Sequence, residues 1–313
     1  MLPQGSIFVF MTHIFIVNPF AGNKTFADDL RSKLNQMKNI NYFVFNTRYA
    51  GYETELVRKI LHIFEDEKLR FYCCGGSGTM RNMLNGFDDL SNAEVAFFPC
   101  GLTNDFLKMF GKDEVRFHQI EELINGDVIE VDYIKTNHGV SLNTLSTGLD
   151  SNCLIKMDDY RMLRFIKSEL PYTAATVYSA FVSKPLDYEI LIDGKKQNGK
   201  MAEIFIGNGR VFGGNLYLTE STCVNDGKAI TRIIDNKRGF GILSVMAVLT
   251  GKKYDQIPEK MQCGECHTIS IKRTDGEKFN INQDGNLIKG ITSCDAEIVH
   301  KGLHFVVPKG VRI

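Results

Sequence analysis

A glycine-rich stretch, Phe71-Tyr-Cys-Cys-Gly-Gly-Ser-Gly-Thr-Met80, has the residue types and spacing that could hold a phosphate. Apolar residues lead into three glycines within four positions, and residues of helical character follow. This order predicts a buried strand, a tight turn and a helix that Gly86 ends at its C′ position. Backbone N–H groups and the positive end of the helix would then converge on one point. A strand–helix turn without a ligand has the same pattern, so both interpretations stay open for this stretch alone.

Two further loops of similar chemistry follow apolar segments. Asn18-Pro-Phe-Ala-Gly22 comes after the apolar run 12–17, and Pro99-Cys-Gly-Leu-Thr-Asn-Asp105 comes after the run 94–98. Because the carboxyl ends of parallel strands meet at one edge of a sheet, the three loops should lie together at the edge where such folds bind ligands. The three loops together therefore favour a nucleotide or phosphate site.

Strands and helices alternate over the first part of the chain. Apolar runs predict strands at 12–17, 42–45, 71–74 and 94–98, and helical spacing predicts helices at 26–37, 54–64 and 106–110. This alternation is typical of a doubly wound α/β fold with a mostly parallel sheet. We predict a nucleotide-binding α/β domain over residues 1–133, to which the C-terminal segment from about 300 to 313 could return.

Short apolar or alternating segments take over from about residue 132. They lie at 131–135, 139–145, 186–192, 202–207 and 230–234, and turns such as Asp193-Gly194 and Asn225-Asp-Gly227 separate them. This pattern predicts a second, mostly antiparallel β-sandwich domain over residues 134–299.

The segment 156–184 has helical spacing and interrupts the β pattern. It combines many apolar and aromatic residues with Arg161, Arg164 and Lys167. Basic residues beside aromatics could contact an anionic membrane surface. Helices that pack their apolar faces on the β domain and leave the cations in solvent are the alternative, which we favour from the sequence.

Composition narrows the classes of function. The chain has 313 residues, enough for about two domains, and equal numbers of basic and acidic residues, 37 each, which argues against a nucleic-acid partner. No apolar run approaches the roughly 20 residues of a membrane-spanning helix. Residues 1–10 lack the features of a signal peptide, and we expect them to be a dispensable extension. The eight cysteines are expected to be reduced thiols, and Cys263-Gly-Glu-Cys266-His267 a chance cluster rather than a haem or zinc motif.

Several blocks in order resemble the catalytic family of diacylglycerol kinases, which is related to the sphingosine and ceramide kinases. Asn18-Pro-Phe-Ala-Gly22 is similar to the NPxxG loop of that family, and Gly75-Gly-Ser-Gly-Thr79 with Asn82 and Asn85-Gly86 is similar to GGDGTxxEVxNG. Pro99-Cys-Gly-Leu-Thr-Asn-Asp105 with Phe106 is similar to PxGTxNDF. The remaining similar positions are Asn143, Gly148, Asp150, Asn208, Gly213-Gly214, Asn225-Asp-Gly227 and Asp284-Gly285.

The resemblance implies a two-domain lipid kinase that uses ATP and Mg²⁺, with Asp284 as general base. Phosphoryl transfer depends mainly on positioning and charge neutralisation, which backbone N–H groups and Mg²⁺ can supply. The metal ligands that it implies are Asp105, Asp132 and Asp226. The implied nucleotide-binding residues are Asn18, Pro19, Phe20, Ala21, Gly22, Thr47, Gly75, Gly76, Ser77, Gly78, Thr79, Thr103 and Asn104. We add Arg81 as a hypothetical phosphate contact.

Some motif positions depart from the family. Ser77 stands where an aspartate is usual, Leu102 where a threonine is usual, and Asn286 where a glutamate often follows Asp-Gly. Because serine brings no charge to a cation, these departures support a second hypothesis, a nucleotide- or lipid-binding protein without catalysis. The retained acids favour the kinase. An NAD kinase is the less favoured relative, because the NPxxG start and the later GxTND-like block match the lipid family.

The resemblance also implies where the protein works and with what. We expect a cytoplasmic protein at the inner membrane face, with a membrane lipid as substrate and a peripheral membrane contact. Members of the family often dimerise, so a homodimer is a further expectation. The acceptor lipid stays open, because an apolar pocket discriminates only weakly between chains.

Overall fold

The computed structural model describes residues 11–21, 26–38, 40–65, 67–101, 104–161, 170–214, 216–219, 223–253, 256 and 261–313, without the side chains of 157–161 and 170–175. The chain divides into two compact units. The first comprises the residues up to Asn104, Lys112–Glu130 and Leu303–Arg312, and the second comprises Asp105–Gly111 and Val131–Gly302.

The first unit is built on a parallel sheet. Its strands are β1 (Thr12–Val17), β2 (Asn41–Asn46), β3 (Leu69–Gly75) and β4 (Glu94–Pro99), and its helices are α1 (Phe26–Gln36), α2 (Tyr52–Ile63), α3 (Ser77–Leu84) and α4 (Ile120–Ile124). The strands are parallel in the order β2-β1-β3-β4, and His304–Val306 pairs with β4 as a further parallel strand. From β1 the chain adds β2 on one side of the sheet and then β3 and β4 on the other, so the strand order reverses between β1 and β3. The predicted doubly wound α/β fold is therefore confirmed.

Hydrophobic burial explains why the central strands form. Residues 14–17 of β1 and residues 71–74 of β3 are buried almost completely, as expected for strands covered on both faces. Leu30 and Leu34 of α1 and Val57 and Ile60 of α2 are buried at helical spacing, which shows the face that each helix turns to the core.

Gly86 has a different role from the one that the sequence predicted. The helix α3 ends at Leu84 with Asn85 as its C-cap, and Gly86 does not adopt the left-handed conformation expected of a C′ glycine. A Cβ at Gly86 would lie 2.5 Å from Cβ of Val57 and 2.8 Å from the carbonyl oxygen of Thr54. Gly86 is therefore required by the close approach of α2 to the end of α3.

The second unit is dominated by antiparallel strands. They are β5 (Asp127–Thr136), β6 (Gly139–Ser141), β7 (Thr144–Gly148), β8 (Leu186–Ile192), β9 (Lys195–Gly207), β10 (Val211–Phe212), β11 (Leu216–Tyr217), β12 (Ala229–Asp235), β13 (Gln262–Cys266), β14 (Thr268–Arg273), β15 (Phe279–Gln283), β16 (Asn286–Ile291) and β17 (Ser293–Val307). The helices are α5 (Leu149–Arg161), α6 (Leu170–Val182) and α7 (Phe240–Thr250). Within the unit the order is β16-β15-β7-β9-β8-β14-β17, with β12 and β13 added through β9. The predicted antiparallel β domain is confirmed.

Two predicted elements differ in detail. The predicted strand 139–145 is interrupted between β6 and β7, because the N–H groups of Leu142, Asn143 and Thr144 bond to Asp284 instead of to a neighbouring strand. The predicted helix 106–110 is part of a longer 3₁₀ segment, Asp105–His118, with a kink at Gly111 (φ 56°).

The predicted helical segment 156–184 corresponds to the C-terminal part of α5 and to α6, while residues 162–169 lie outside the described residues. The favoured packing of its apolar side chains on the β domain is wrong for Val177, Tyr178 and Phe181, which are exposed. Ser179 and Ala180 are the buried residues of this part of α6. In the described ranges, no helix combines the length and apolarity needed to cross a bilayer.

Candidate active site

The loops after β1, β3 and β4 meet at the carboxyl edge of the parallel sheet. The N–H group of Asn18 donates to the carbonyl of Cys74 (2.9 Å), and the N–H group of Cys100 donates to the carbonyl of Gly75 (2.7 Å). The side-chain amide of Asn18 also donates to Oγ1 of Thr79 (3.0 Å). The structure therefore brings the three predicted loops together, on both sides of the point where the strand order reverses.

The glycines of the turn are needed for close backbone approach. A Cβ on Gly75 would lie 2.6 Å from the side chain of Thr79, and a Cβ on Gly101 would lie 2.6 Å from Cα of Gly76. Gly75 and Gly76 do not adopt positive φ, so close packing rather than unusual dihedral angles explains these two glycines. The result is a narrow turn whose backbone is accessible to a ligand.

The N-terminus of α3 begins at this turn. Its N-cap residue is Gly76, which has no side chain to accept hydrogen bonds from the first turn of the helix. The backbone dipoles of α3 therefore present a partial positive charge beside Asn18 and Ser77. A helix start of this kind at a glycine turn suits a nucleotide phosphate.

Asn104 supplies an unused acceptor in the same unit. Its backbone is left-handed (φ 41°), and its Nδ2 donates to the carbonyl of Gly101 (2.9 Å). Its Oδ1 is buried and accepts no hydrogen bond from the described residues. A buried acceptor without a donor is costly, so a hydroxyl or amino group of a nucleotide would satisfy it.

The other predicted nucleotide residues occupy varied positions. Thr47 is buried, and its N–H donates to the carbonyl of Val17 (2.8 Å). In the loop after β1, Phe20 is exposed and its N–H donates to Oδ1 of Asn18 (3.0 Å). Arg81 is buried on α3. Pro19 and Ala21 belong to the loop after β1, whereas Gly22 and Thr103 lie outside the described residues.

Glu53 is a buried acid of the first unit that the sequence did not single out. Its Oε2 accepts from the N–H of Gly51 (3.0 Å) and from Nδ2 of Asn82 (3.3 Å), and burial raises its pKa. Because Asn82 is on α3, Glu53 contributes to the position of the helix that begins at the glycine turn.

Asp284 of the second unit is fixed by three backbone N–H groups. Its carboxylate accepts from Leu142 (2.5 Å), Asn143 (3.0 Å) and Thr144 (2.8 Å). Asp284 and Gly285 both have positive φ, 50° and 86°, in the two-residue turn that joins β15 to β16. Burial raises the pKa of Asp284, although the three N–H donors act in the opposite direction. The hydroxyl of Ser141 also hydrogen-bonds to the carboxylate and lowers its pKa, so four donors hold Asp284 in place.

Asp105 is the second buried carboxylate of this region. It accepts from the N–H of Gly214 (3.1 Å) and lies 3.3 Å from Nζ of Lys108, which also donates to the carbonyl of Gly214. Burial raises its pKa, Lys108 lowers it, and the charge of Asp284 adds to the increase. Asp105 and Asp284 are thus electrostatically coupled within the second unit. Sequence reasoning missed Lys108, although its i+3 spacing from Asp105 was a usable signal.

Asp132 and Asp226 have different surroundings. Asp132 is fully buried and accepts from the N–H of Gly227 (2.6 Å), the N–H of Lys301 (2.6 Å) and Nδ1 of His300 (3.1 Å). Asp226 is exposed, and its carboxylate accepts from the N–H of Lys228 (3.0 Å). The donors around Asp132 give it the contacts of a structural residue.

The fit to Mg²⁺ is therefore limited to part of the predicted set. Among the described residues, no three His, Cys, Asp or Glu side chains form a group that could hold a metal ion. Mg²⁺ commonly binds one or two carboxylates together with substrate phosphates and water, so it does not need such a cage. Asp105 fits that pattern best, because it is buried and its charge interacts with that of Asp284, although Mg²⁺ would have to replace the contact with Lys108. The structure does not gather Asp132 and Asp226 with it into one cluster.

A buried pair of acids supports the turn that carries Asp284. Oδ2 of Asp150 accepts from Oγ of Ser146 (2.6 Å) and from Nδ2 of Asn282 (2.5 Å), and Oε2 of Glu203 accepts from the N–H of Asp150 (2.7 Å). Burial raises the pKa of Asp150 to about 6 and that of Glu203 well above its usual value. Gly148 leaves the space for this arrangement, since a Cβ there would lie 2.4 Å from the carbonyl oxygen of Ala202.

Two asparagines of the predicted blocks join the surrounding loops. Nδ2 of Asn208 donates to the carbonyls of Asp132 and Leu142, both at 2.8 Å, and Nδ2 of Asn143 donates to the carbonyl of Val211 (2.9 Å). These bonds hold the Asp132 strand beside the loop that binds Asp284. Cys263 and Cys266 both lie on β13, where Cys263 is exposed and Cys266 is buried.

Comparison with known proteins gives matches along most of the chain. The model of the diacylglycerol kinase catalytic domain matches residues 12–136, and that of the YegS C-terminal NAD kinase beta sandwich-like domain matches residues 143–306. Diacylglycerol kinase of Bacillus subtilis (strain 168) is 23% identical over 308 residues, with 94% of this chain and 95% of that protein covered. Probable lipid kinase YegS-like of Shewanella frigidimarina (strain NCIMB 400) is 22% identical over 302 residues, with 95% and 94% covered. The crystal structure of a diacylglycerol kinase from Bacillus anthracis str. Sterne has a TM-score of 0.69 at 19% identity, with 97% of this chain and 98% of that chain covered, and shows the same fold.

Proposed function

The chain belongs to the diacylglycerol kinase family, and we propose that it transfers the γ-phosphoryl group of ATP to a hydroxyl group of a membrane lipid. The observation that carries this proposal is the buried carboxylate of Asp284, which three backbone N–H groups hold in place. A base held in this way can take the proton of an alcohol without rearranging.

In the proposed reaction, Asp284 accepts the hydroxyl proton while the lipid oxygen forms a bond to the γ-phosphorus. The bond from that phosphorus to the β–γ bridging oxygen breaks, and ADP leaves. The raised pKa of Asp284 makes it a stronger proton acceptor than an ordinary aspartate. Mg²⁺ would supply charge neutralisation on the phosphates, with Asp105 as the residue best suited to hold it.

Binding of the nucleotide is proposed for the first unit. The start of α3 would face the phosphates, and the close approach of Gly76 to Gly101 leaves backbone groups within reach of them. The buried Oδ1 of Asn104 would accept a hydrogen bond from the nucleotide. In the second unit, burial raises the pKa of Asp105, and the ammonium group of Lys108 would oppose that rise and favour the ionised acid.

A binding protein without catalysis is the second candidate. Ser77 follows the N-cap of α3 where an aspartate is usual, and Asp132 directs its carboxylate to three protein donors. Both observations reduce the negative charge available to a metal. Such a protein would bind nucleotide or lipid and transfer no phosphate.

The test is incubation of the purified full chain with γ-labelled ATP, Mg²⁺ and mixed micelles containing diacylglycerol, sphingosine or a total lipid extract. Label that enters the organic phase would support the kinase, and the labelled species would identify the acceptor. ATP binding without transfer to any lipid would favour the binding protein.

A further inference from the structure

The outward surface of the C-terminal part of α6, from residue 177 to residue 182, is apolar, although its inward side is lined by small residues. Val177, Tyr178, Phe181 and Val182 are 44%, 42%, 44% and 47% exposed, whereas Ser179 and Ala180 are fully buried. The other three exposed residues follow Val177 by one, four and five positions, which places all four on one face of the helix. An ordinary surface helix has the opposite polarity, so this face is suited to a partner that accepts apolar side chains.

The start of α7 extends this surface. Phe240 is 80% exposed, and its ring lies edge-on to that of Phe181 with the ring centroids 5.3 Å apart. The N–H of Gly239 donates to the carbonyl of Ala180 (2.6 Å), which ties the start of α7 to α6. The apolar surface formed by Val177, Tyr178, Phe181, Val182 and Phe240 is called the α6–α7 patch below.

Basic side chains lie beside the α6–α7 patch. Nζ of Lys156 lies 5.7 Å from the ring centroid of Tyr178, and Nη2 of Arg238 donates to the carbonyl of Phe181 (3.0 Å). A cavity of about 360 Å³ next to Val182 is lined by Lys156 and Lys184 together with Asn152 and Ser183. Exposed aromatic and aliphatic groups are thus bordered by cations and small polar groups.

We propose that the α6–α7 patch docks the protein on an anionic lipid bilayer. The apolar side chains would enter the boundary between headgroups and acyl chains, and Lys156, Lys184 and Arg238 would contact lipid phosphates. The pairing of an apolar surface with flanking cations argues for a membrane. The apolar side chains complement the acyl chains of an anionic leaflet, and the cations complement its phosphates. The idea that the bilayer supplies the lipid acceptor rests on the proposed function. Docking on the bilayer does not require phosphoryl transfer.

Co-sedimentation of the full chain with vesicles tests this proposal. Vesicles of phosphatidylcholine alone are compared with vesicles that also contain phosphatidylserine, at low and high salt. We expect binding that requires phosphatidylserine and weakens with salt. Phe240→Ser should lower the vesicle partition coefficient by roughly 10-fold or more, from the loss of one inserted aromatic side chain. Lys156→Gln together with Arg238→Gln should reduce the preference for phosphatidylserine.

The matched control is Ile63→Ser, which removes an exposed apolar residue (68%) of α2 in the first unit. It should bind vesicles like the unmodified chain, and circular dichroism should show all variants folded. Equal vesicle binding by Phe240→Ser and the unmodified chain would overturn the proposal. The proposal would also be overturned if the unmodified chain did not bind vesicles but self-associated, and if Phe240→Ser abolished that self-association. The patch would then be an interface between two copies.

The kinase assay separates this proposal from the proposed function. If both hold, Phe240→Ser loses transfer to vesicle lipids and retains transfer to a short-chain lipid dispersed in water. If the chain is not a kinase, vesicle binding and its sensitivity to Phe240→Ser remain while no lipid is labelled.

Discussion

Asp132 and Asp284 are both buried carboxylates of the second unit, and their hydrogen-bond donors determine what each can do. Asp284 is held by the N–H groups of three consecutive residues, Leu142, Asn143 and Thr144, which bond to both of its oxygens. Asp132 receives donors from two separate segments and from the His300 ring. The first arrangement fixes a carboxylate at a turn, while the second joins strands. Residue type alone cannot distinguish these roles.

The pH dependence of stability should report the buried Asp150. Its pKa is about 6 in the folded protein and 3.8 ordinarily, so folding takes up a proton between these values. The contribution of Asp150 to the free energy of unfolding is therefore largest below about pH 4 and declines as the pH rises to about 6. Asp150→Asn should make this decline shallower in urea unfolding, and Glu203 would account for the remainder.

Asp187→Asn, at an exposed acid of β8, is the control and should leave the pH profile unchanged. Parallel profiles for Asp150→Asn and the unmodified chain would show that Asp150 ionises in the folded state as an ordinary aspartate does.

Arg81 allows a test of the hypothesis that it contacts phosphate. Arg81→Ala should weaken ATP binding by about 10- to 100-fold if its guanidinium bonds to a phosphate, because hydrogen bonds to charged groups contribute about 1.5–3 kcal/mol. Isothermal calorimetry with ATP measures this directly. Unaltered affinity in a folded Arg81→Ala protein would reject the hypothesis.

At the scale of elements, the start of α3 depends on space between two loops. A Cβ at Gly101 would lie 2.6 Å from Cα of Gly76 and 2.8 Å from Oδ1 of Asn104. Gly101→Ala should therefore separate the loops and weaken ATP binding by at least about 10-fold, with a loss of stability of about 1–3 kcal/mol. Calorimetry and thermal unfolding measure the two effects.

Gly199→Ala is the control, because its nearest neighbour would be 3.9 Å away, and it should change neither quantity. An ATP affinity of Gly101→Ala equal to that of the unmodified chain would contradict the placement of the nucleotide at this turn.

The elements that could be predicted from sequence are those whose pattern is local. Continuous apolar runs predicted β1 and β4, and a short apolar segment before the Asp193-Gly194 turn predicted β8. The sequence predicted a helix at 106–110, before the kink at Gly111, but it predicted neither the 3₁₀ form of the segment nor its continuation to His118. The break between β6 and β7 was missed because its cause is Asp284, more than a hundred residues away.

The candidate site shows the same division. The glycine turn and Asp284 could be identified from motifs, since the residues that carry their chemistry are adjacent in sequence. The His300 contact of Asp132 could not be assigned, because it depends on long-range packing. The orientation of α6 was predicted wrongly, since apolar spacing gives a face and does not say whether that face is buried.

At the scale of the whole molecule, the chain combines a parallel sheet with nucleotide-type loops and an antiparallel unit with a fixed carboxylate and the α6–α7 patch. We expect nucleotide binding, phosphate transfer and membrane docking to be separable by mutation. Variants in the glycine turn should first impair nucleotide binding, variants at Asp284 should first impair phosphate transfer, and variants in the α6–α7 patch should first impair membrane docking.

The most direct test of the central claim is the rate of lipid phosphorylation by Asp284→Asn, with ATP affinity measured in parallel. The control is Asp193→Asn, because Asp193 has the same turn geometry (φ 47°, before Gly194 at 76°) and also accepts backbone N–H bonds, yet lies on the surface. We expect Asp284→Asn to lower the transfer rate by about 10²–10⁴ and to leave ATP affinity unchanged, with Asp193→Asn fully active. A transfer rate for Asp284→Asn equal to that of Asp193→Asn would contradict the account.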